Sequence, residues 1–212
     1  MNHLIKYRTL NKVITSYRSL FTNQNLKLQH YPTVGGLYRF NNQLIDYFDN
    51  TGCFNHMLRN IEAIKDEHEY KQNVKPSLKT CFNDLSLDDL LSLHTIVDSN
   101  LDTIEPYFNK HGYYKYKLVS NNILTSYLII WGKGAESDIH YHASNGCFTL
   151  NLGGVWREDI YFKDNLNKIR HSRMLYGGDT SYIDNHIGPH KLKLNGGSFG
   201  LSVNIYSPSI EL

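Results

Sequence analysis

The hydrophobic period of the chain changes near Tyr113. Before that point apolar residues recur every three or four positions, and after it they alternate. Leu10, Val13, Ile14, Tyr17, Leu20 and Phe21 predict a first helix. Thr33-Val34-Gly35-Gly36 reads as an interruption. Phe54, Met57, Leu58, Ile61 and Ile64 predict a second helix, which gives way to a polar stretch from Asp66 to Lys75 with Pro76 as a breaker. Ser86, with Asp89 three residues on, is placed for a capping box that opens a third helix. Leu87, Leu90, Leu91, His94 and Val97 form its buried stripe.

From Tyr114 to Ser120 and from Leu124 to Trp131 the alternation predicts a hairpin around Asn121-Asn122. Further strands are expected at 138–142, 147–152, 155–162, 174–176, 181–184 and 201–207. Gly153-Gly154, Gly177-Gly178 and Gly196-Gly197 read as the turns between strands. In the last strand Leu201, Val203 and Ile205 face one way. Ser202, Asn204 and Tyr206 face the other, and that polar set suits a functional lumen. Many short strands with paired-glycine turns argue for a sandwich or a small barrel able to hold one small ligand. The fold class expected is mainly β, preceded by an α-helical N-terminal region. Residues 1–80 would be the helical extension and residues 81–212 the barrel domain.

Composition narrows the function. A hydrophobic content of 41% supports a packed interior. The formal charge of +2 gives no reason to expect nucleic acid or an anionic membrane as partner. No apolar run is long enough to cross a bilayer, and no charged-then-apolar signal segment is seen. Lys6, Arg8, Lys12 and Arg18 fit an amphipathic helix, with an organelle-targeting segment as the alternative. Cys53, Cys81 and Cys147 contain no C-x-x-C pair, which favours a reducing, cytoplasmic setting.

The candidate chemistry lies in His140-x-His142 and in His190. Alternate residues on a strand leave one face, so His140 and His142 form a bidentate clamp for a transition metal. A solvated strand face is the bland alternative. Cys147 stands where many barrel metalloenzymes keep a carboxylate. It could equally be a small buried hydrophobe, and Tyr206 an ordinary tyrosine. His94 is expected to be a packing residue. His3, His30, His56, His68, His111 and His171 are expected to be solvated. His186 is the nearest rival ligand and is assigned to a loop.

Gly134, six residues before His140, and Gly153-Gly154 after it make this stretch similar to the first metal motif of the cupin barrels. The second cupin motif keeps only His190. Trp131-Gly-x-Gly, Ser137-x-Ile-His140-x-His142 and Cys147-Phe148 then carry a more specific resemblance. Tyr182-Ile183, Ile187-Gly-x-His190 and Ser202-x-Asn204-x-Tyr206-Ser207-Pro208 continue it. In this order and spacing, over roughly Leu85 to Pro208, they resemble the cysteine dioxygenase family of thiol dioxygenases.

The resemblance implies a cupin-type, jelly-roll-like small β-barrel and an Fe(II) site of His140, His142 and His190. It implies a small thiol, by default L-cysteine, and O2 as substrates, with a sulfinic acid as product. Cys147 and Tyr206 match the pair that forms a thioether crosslink in part of the family, and Tyr206 would serve catalysis. Ser202 and Asn204 match a relay in which the family has a histidine at the second place. Trp131 and Tyr114 match pocket residues. The arginine that holds the substrate carboxylate in the family aligns with Tyr116, flanked by Lys115 and Lys117. Family members run on past the position of Pro208. Met1 to Lys79 has no family counterpart and is expected to close the barrel in place of that tail or to bind a protein partner. The alternatives are a cupin metalloenzyme acting on a non-thiol substrate and a non-catalytic binding module.

Overall fold

The computed structural model describes residues 34–209. The expected helix from Leu10 to Phe21 lies outside the described residues. Among the described residues four α-helices precede the strands: α1 (Val34–Asn50), α2 (Gly52–Glu62), α3 (Glu67–Asp84) and α4 (Leu87–Ile104). Six strands follow: β1 (Tyr113–Ser120), β2 (Thr125–Gly132), β3 (Cys147–Phe162), β4 (Asn165–Leu175), β5 (Thr180–Ile183) and β6 (His190–Tyr206). All pair antiparallel, in the order β1-β2-β6-β3-β4, with β5 on the free edge of β3 beside Cys147 to Leu150. The architecture is of the expected class, a β region of antiparallel strands behind a helical region.

The helices correct the sequence reading in two places. Gly35 and Gly36, expected to interrupt the chain, lie in the first turn of α1. There the backbone N–H groups have no helical partner in any case, and the buried stripe Phe40, Leu44, Tyr47 and Phe48 carries the helix onward. The polar stretch after Asp66 is likewise helical. Asp66 caps α3 by accepting from the Glu69 amide at 2.9 Å, and Tyr70, Val74, Leu78, Cys81 and Phe82 bury one face. Pro76 sits inside this helix. It is exposed, as is Gln72 four residues earlier, so the carbonyl that loses its partner faces water. In α4 the capping box of Ser86 and Asp89 forms as expected, and Leu90, Leu93, His94, Val97 and Ile104 are its buried residues.

The glycine pairs also differ from expectation. Gly177-Gly178 is a turn, but Gly153-Gly154 lies within the continuous strand β3, and Gly196-Gly197 within β6. The two strands change register here, between Asn151 and Trp156. A Cβ at Gly153 would stand 2.4 Å from the His94 ring, and Gly154 has φ +94°. The pair therefore makes a bulge where a helix presses on the sheet, not a chain reversal. β4 runs from Asn165, far ahead of the expected 174–176, and nearly all of it is exposed. Without a buried face it carries no apolar alternation for a reader to find.

One sheet face packs on the helices. Leu128, Ile130, Leu150, Leu201, Val203 and Ile205 join the apolar stripes of α1 to α4 in a single core. Each fully buried Leu, Val or Ile contributes about 1.5–3 kcal/mol. Thr80 and Cys81, on either side of the expected domain boundary, both lie within α3. The opposite face, with Ile129, Trp131, Trp156, Leu192 and Leu194, lines the interior of the curved sheet.

One irregularity positions the site. Lys117 pairs with Tyr127 and Val119 with Ser126, so Leu118 is an extra residue in β1. Such a bulge exchanges inside and outside along the rest of the strand. Tyr113 packs in the interior cluster, whereas Tyr114 and Tyr116 pack toward the helices. No described helix is long and apolar enough to cross a membrane.

Candidate metal centre

Asp138 to His142 does not form the expected strand. Ser137 N donates to Leu192 O at 2.9 Å, and His140 and His190 exchange both backbone hydrogen bonds at 3.0 Å. These contacts with the start of β6 are isolated bridges, not a continuous ladder. They nevertheless set His140 opposite His190, with His142 two residues on in the same direction. The three ligand atoms lie within 4.8 Å of one another. Ring centroids are 4.6–4.9 Å apart.

Hydrogen bonds choose the tautomers. Nδ1 of His140 donates to the Asp138 carbonyl at 2.9 Å. Nδ1 of His190 donates to Oε1 of Glu158 at 2.8 Å. Each bond leaves the Nε2 lone pair free. Nε2 of His142 and Nε2 of His190 then approach to 2.7 Å. Burial, followed by the neighbouring His190, pushes His140 down to about 4. Burial and the other two rings push His142 down to about 2. At this distance the two nitrogens are close enough to share a proton or to bind one ion together. The donor set therefore fits a divalent transition metal.

Glu158 was not among the residues read from the sequence. It has no exposed surface and is shared between His190 and Arg173, its cross-strand partner on β4. Burial raises its pKa, but the hydrogen bonds and charges of His190 and Arg173 outweigh that and hold it below the ordinary carboxylate range. A signal exists: Trp156, Glu158 and Ile160 share a strand face, and a carboxylate between two inward apolar residues needs a buried partner.

A cavity of about 310 Å³ adjoins the histidines. Cys147 and Tyr206 both line it and are direct partners across β3 and β6. Burial pushes the Cys147 thiol up to about 12, against hydrogen bonds from Thr149 and Asn204. Burial, then Cys147, raises the Tyr206 phenol well above its usual range. Both groups are neutral near pH 7. The Tyr206 ring stacks on His142 at 5.9 Å.

Trp131 and Asn204 also line the cavity. Nε1 of Trp131 donates to Ser202 Oγ at 3.2 Å, and Ser202 Oγ donates to Asn204 Oδ1 at 2.7 Å. The Asn204 amide reaches Thr149 Oγ1 at 3.0 Å and Cys147 Sγ at 3.9 Å. Asn204 thus links Ser202 to Cys147, but with an amide that does not titrate.

Three expected pocket residues do not line the cavity: Ser202, which is buried and bonded to Trp131 and Asn204, and two tyrosines placed elsewhere. Tyr114 and Tyr116 do not line the cavity, because the bulge at Leu118 turns them toward the helices. Tyr113 and Lys115 occupy the inward positions. The Lys115 ammonium lies 5.5 Å from the Tyr113 ring, 5.7 Å from Tyr127 and 5.9 Å from Tyr206. Among the described residues no carboxylate lies within ion-pair distance of it. His111 also departs from expectation: it is half-buried, lines the cavity and meets Asp138 at 3.2 Å. His186 is exposed in its loop, as expected.

A family model described as cysteine dioxygenase type I matches residues 84–211. Cysteine dioxygenase type 1 of Homo sapiens is 28% identical over 89 residues, covering 40% of this chain and 44% of the human protein. The protein of the same name from Bos taurus shows the same identity and coverage. The chain thus spans less than half the length of the curated relatives it matches. Among solved structures, an RmlC-like cupin from Shewanella frigidimarina is 20% identical, with 49% of this chain and 84% of that one covered and a TM-score of 0.41. KdgF from Halomonas sp. is 16% identical over 47% of this chain and 82% of its own, with a TM-score of 0.40.

Proposed function

Because this chain belongs to the cysteine dioxygenase type I family, we propose that it is an Fe(II)-dependent thiol dioxygenase. Its substrate is a small thiol, by default L-cysteine, which takes both atoms of O2 onto sulfur as a sulfinic acid. The observation that carries this reading is the convergence of three imidazoles on a cavity that also holds Cys147 and Tyr206.

His140, His142 and His190 would hold the metal. Three imidazole ligands would leave Fe(II) its full charge, which would favour a thiolate at the site and supply the redox chemistry with O2. Glu158 and the Asp138 carbonyl orient two of the rings and keep their Nε2 atoms unprotonated. Lys115 takes the place expected for Tyr116. Its ammonium would receive the substrate carboxylate as a point charge, without the bidentate fork of an arginine. The aromatic walls of Tyr113, Trp131 and Tyr206 limit water in the cavity and strengthen that contact. The Tyr206 hydroxyl stays protonated and would donate a hydrogen bond to the reacting groups.

Oxygen uptake by anaerobically Fe(II)-loaded protein on addition of L-cysteine tests the reading, with product mass read from the same sample. Uptake matched by cysteine sulfinate supports it. Iron bound with no uptake, for cysteine and then for other small thiols, would sink it. A cupin enzyme on a non-thiol substrate or a binding module would then remain.

A further inference from the structure

A second cluster of reactive groups lies away from the histidines. Cys53 is the second residue of α2 and half-buried; Cys81 lies in the last turn of α3 and is buried. Both are free thiols, and each sulfur perturbs the ionisation of the other. They line one cleft between α2 and α3, of about 500 Å³, together with His56, Met57, Ser77 and Thr80. A small reagent in that cleft meets Cys53 first, because Cys53 is the more exposed of the two.

The two sulfurs are not equivalent. The neighbouring Cys81 thiol, and then the Phe54 amide at the start of α2, hold the Cys53 thiol below its usual range despite burial. The neighbouring Cys53, and then burial, push the Cys81 thiol up. Exposure orders them the same way: half-buried Cys53 meets solvent and ionises first, and buried Cys81 keeps its proton longer. A thiolate that attacks and a neighbouring thiol that resolves are what dithiol exchange requires.

We propose that Cys53 and Cys81 form a reversible dithiol–disulfide site in the helical layer, oxidised by low-molecular-weight disulfides. The Cys53 thiolate attacks a disulfide RSSR, forming a mixed disulfide and releasing one RS⁻. Cys81 then loses its proton and displaces the second RS⁻. The sum is two protein thiols and RSSR giving one protein disulfide and two RSH. The bond would tie α2 to α3. The Tyr70 hydroxyl on α3 contacts the carbonyls of Ile205 at 2.8 Å and Gly146 at 3.0 Å. These are the residues just before Tyr206 and Cys147, so the tied helix is one that touches both strand ends at the cavity.

The test uses the whole chain, treated with oxidised glutathione, acid-quenched, alkylated and digested without reductant. Its readout does not depend on turnover. The expected result is a peptide pair joined through Cys53 and Cys81, returned to two alkylated thiols by dithiothreitol. In Cys81→Ser, glutathione should accumulate on Cys53 as an unresolved mixed disulfide. In Cys53→Ser, modification of Cys81 should be at least about tenfold slower. The unsubstituted protein decides the matter if a variant folds poorly. Unchanged alkylation of both cysteines, or a lasting glutathione adduct on Cys53 of the unsubstituted chain, would overturn the proposal.

Discussion

Oε1 of Glu158 lies 2.8 Å from Nδ1 of His190, and both side chains are buried. β3 and β6 run antiparallel, and Ile160 is the backbone partner of His190. Glu158, two residues back on the same face of β3, reaches the ring. Arg173 holds the carboxylate from the other side. The imidazole is thereby fixed in rotation and in tautomer before any metal arrives.

Glu158→Gln keeps an acceptor near His190 but removes the charge. Metal affinity should fall about 10–100-fold, the usual cost of losing such an outer contact. Competition against a chromophoric chelator reads this directly. Affinity unchanged within about twofold would mean that Glu158 serves only the pairing of β3 with β4.

Lys115→Ala removes the inward cation. A charged hydrogen bond to the substrate is worth about 1.5–3 kcal/mol, so kcat/KM for L-cysteine should fall about 10–100-fold. A thiol without a carboxylate should lose far less. Tyr116→Phe should stay within about twofold of the unsubstituted protein, because Tyr116 faces the helices. The reverse ranking would place the strand in the other register.

Cys147 and Tyr206 face each other across β3 and β6. If they join, sulfur and ring each lose one hydrogen, and the intact protein is lighter by two hydrogens. Mass spectrometry of protein turned over with substrate should show this species, and Cys147→Ala should not. A mass that never changes in active protein would leave the two as an unlinked contact.

Acid should destabilise the metal-free protein. His140 and His142 have folded pKa values of about 4 and about 2, below the ordinary 6.5. As pH falls below about 6.5 the unfolded chain binds protons that the folded chain refuses. Stability is therefore greatest above that value and declines through pH 4, by up to about 1.4 kcal/mol per pH unit for each ring. Denaturant midpoints measured from pH 7 to pH 4 should fall. In His140→Phe the slope should be shallower. A flat profile would show that the rings are not held neutral by burial.

The sequence by itself carried the parts of this protein that depend on local period. His140 and His142 share a side because alternate residues of an extended chain do so. Ser202, Asn204 and Tyr206 separate from Leu201, Val203 and Ile205 for the same reason, and Ser86 with Asp89 announces α4 through backbone donors that only a cap can satisfy. Tertiary structure decided what depends on pairing and packing. One extra residue at Leu118 turned Lys115 inward and Tyr116 outward, and nothing in the local alternation marks which residue a partner strand will skip. Gly153-Gly154 became a bulge because His94 of a distant helix fills the space a side chain would need. Pro76 stayed helical because the face opposite it is buried and its freed carbonyl meets water. Glu158 became the partner of His190 only when β3 came to lie between β6 and β4, since a buried carboxylate takes its meaning from the charges that the fold brings to it.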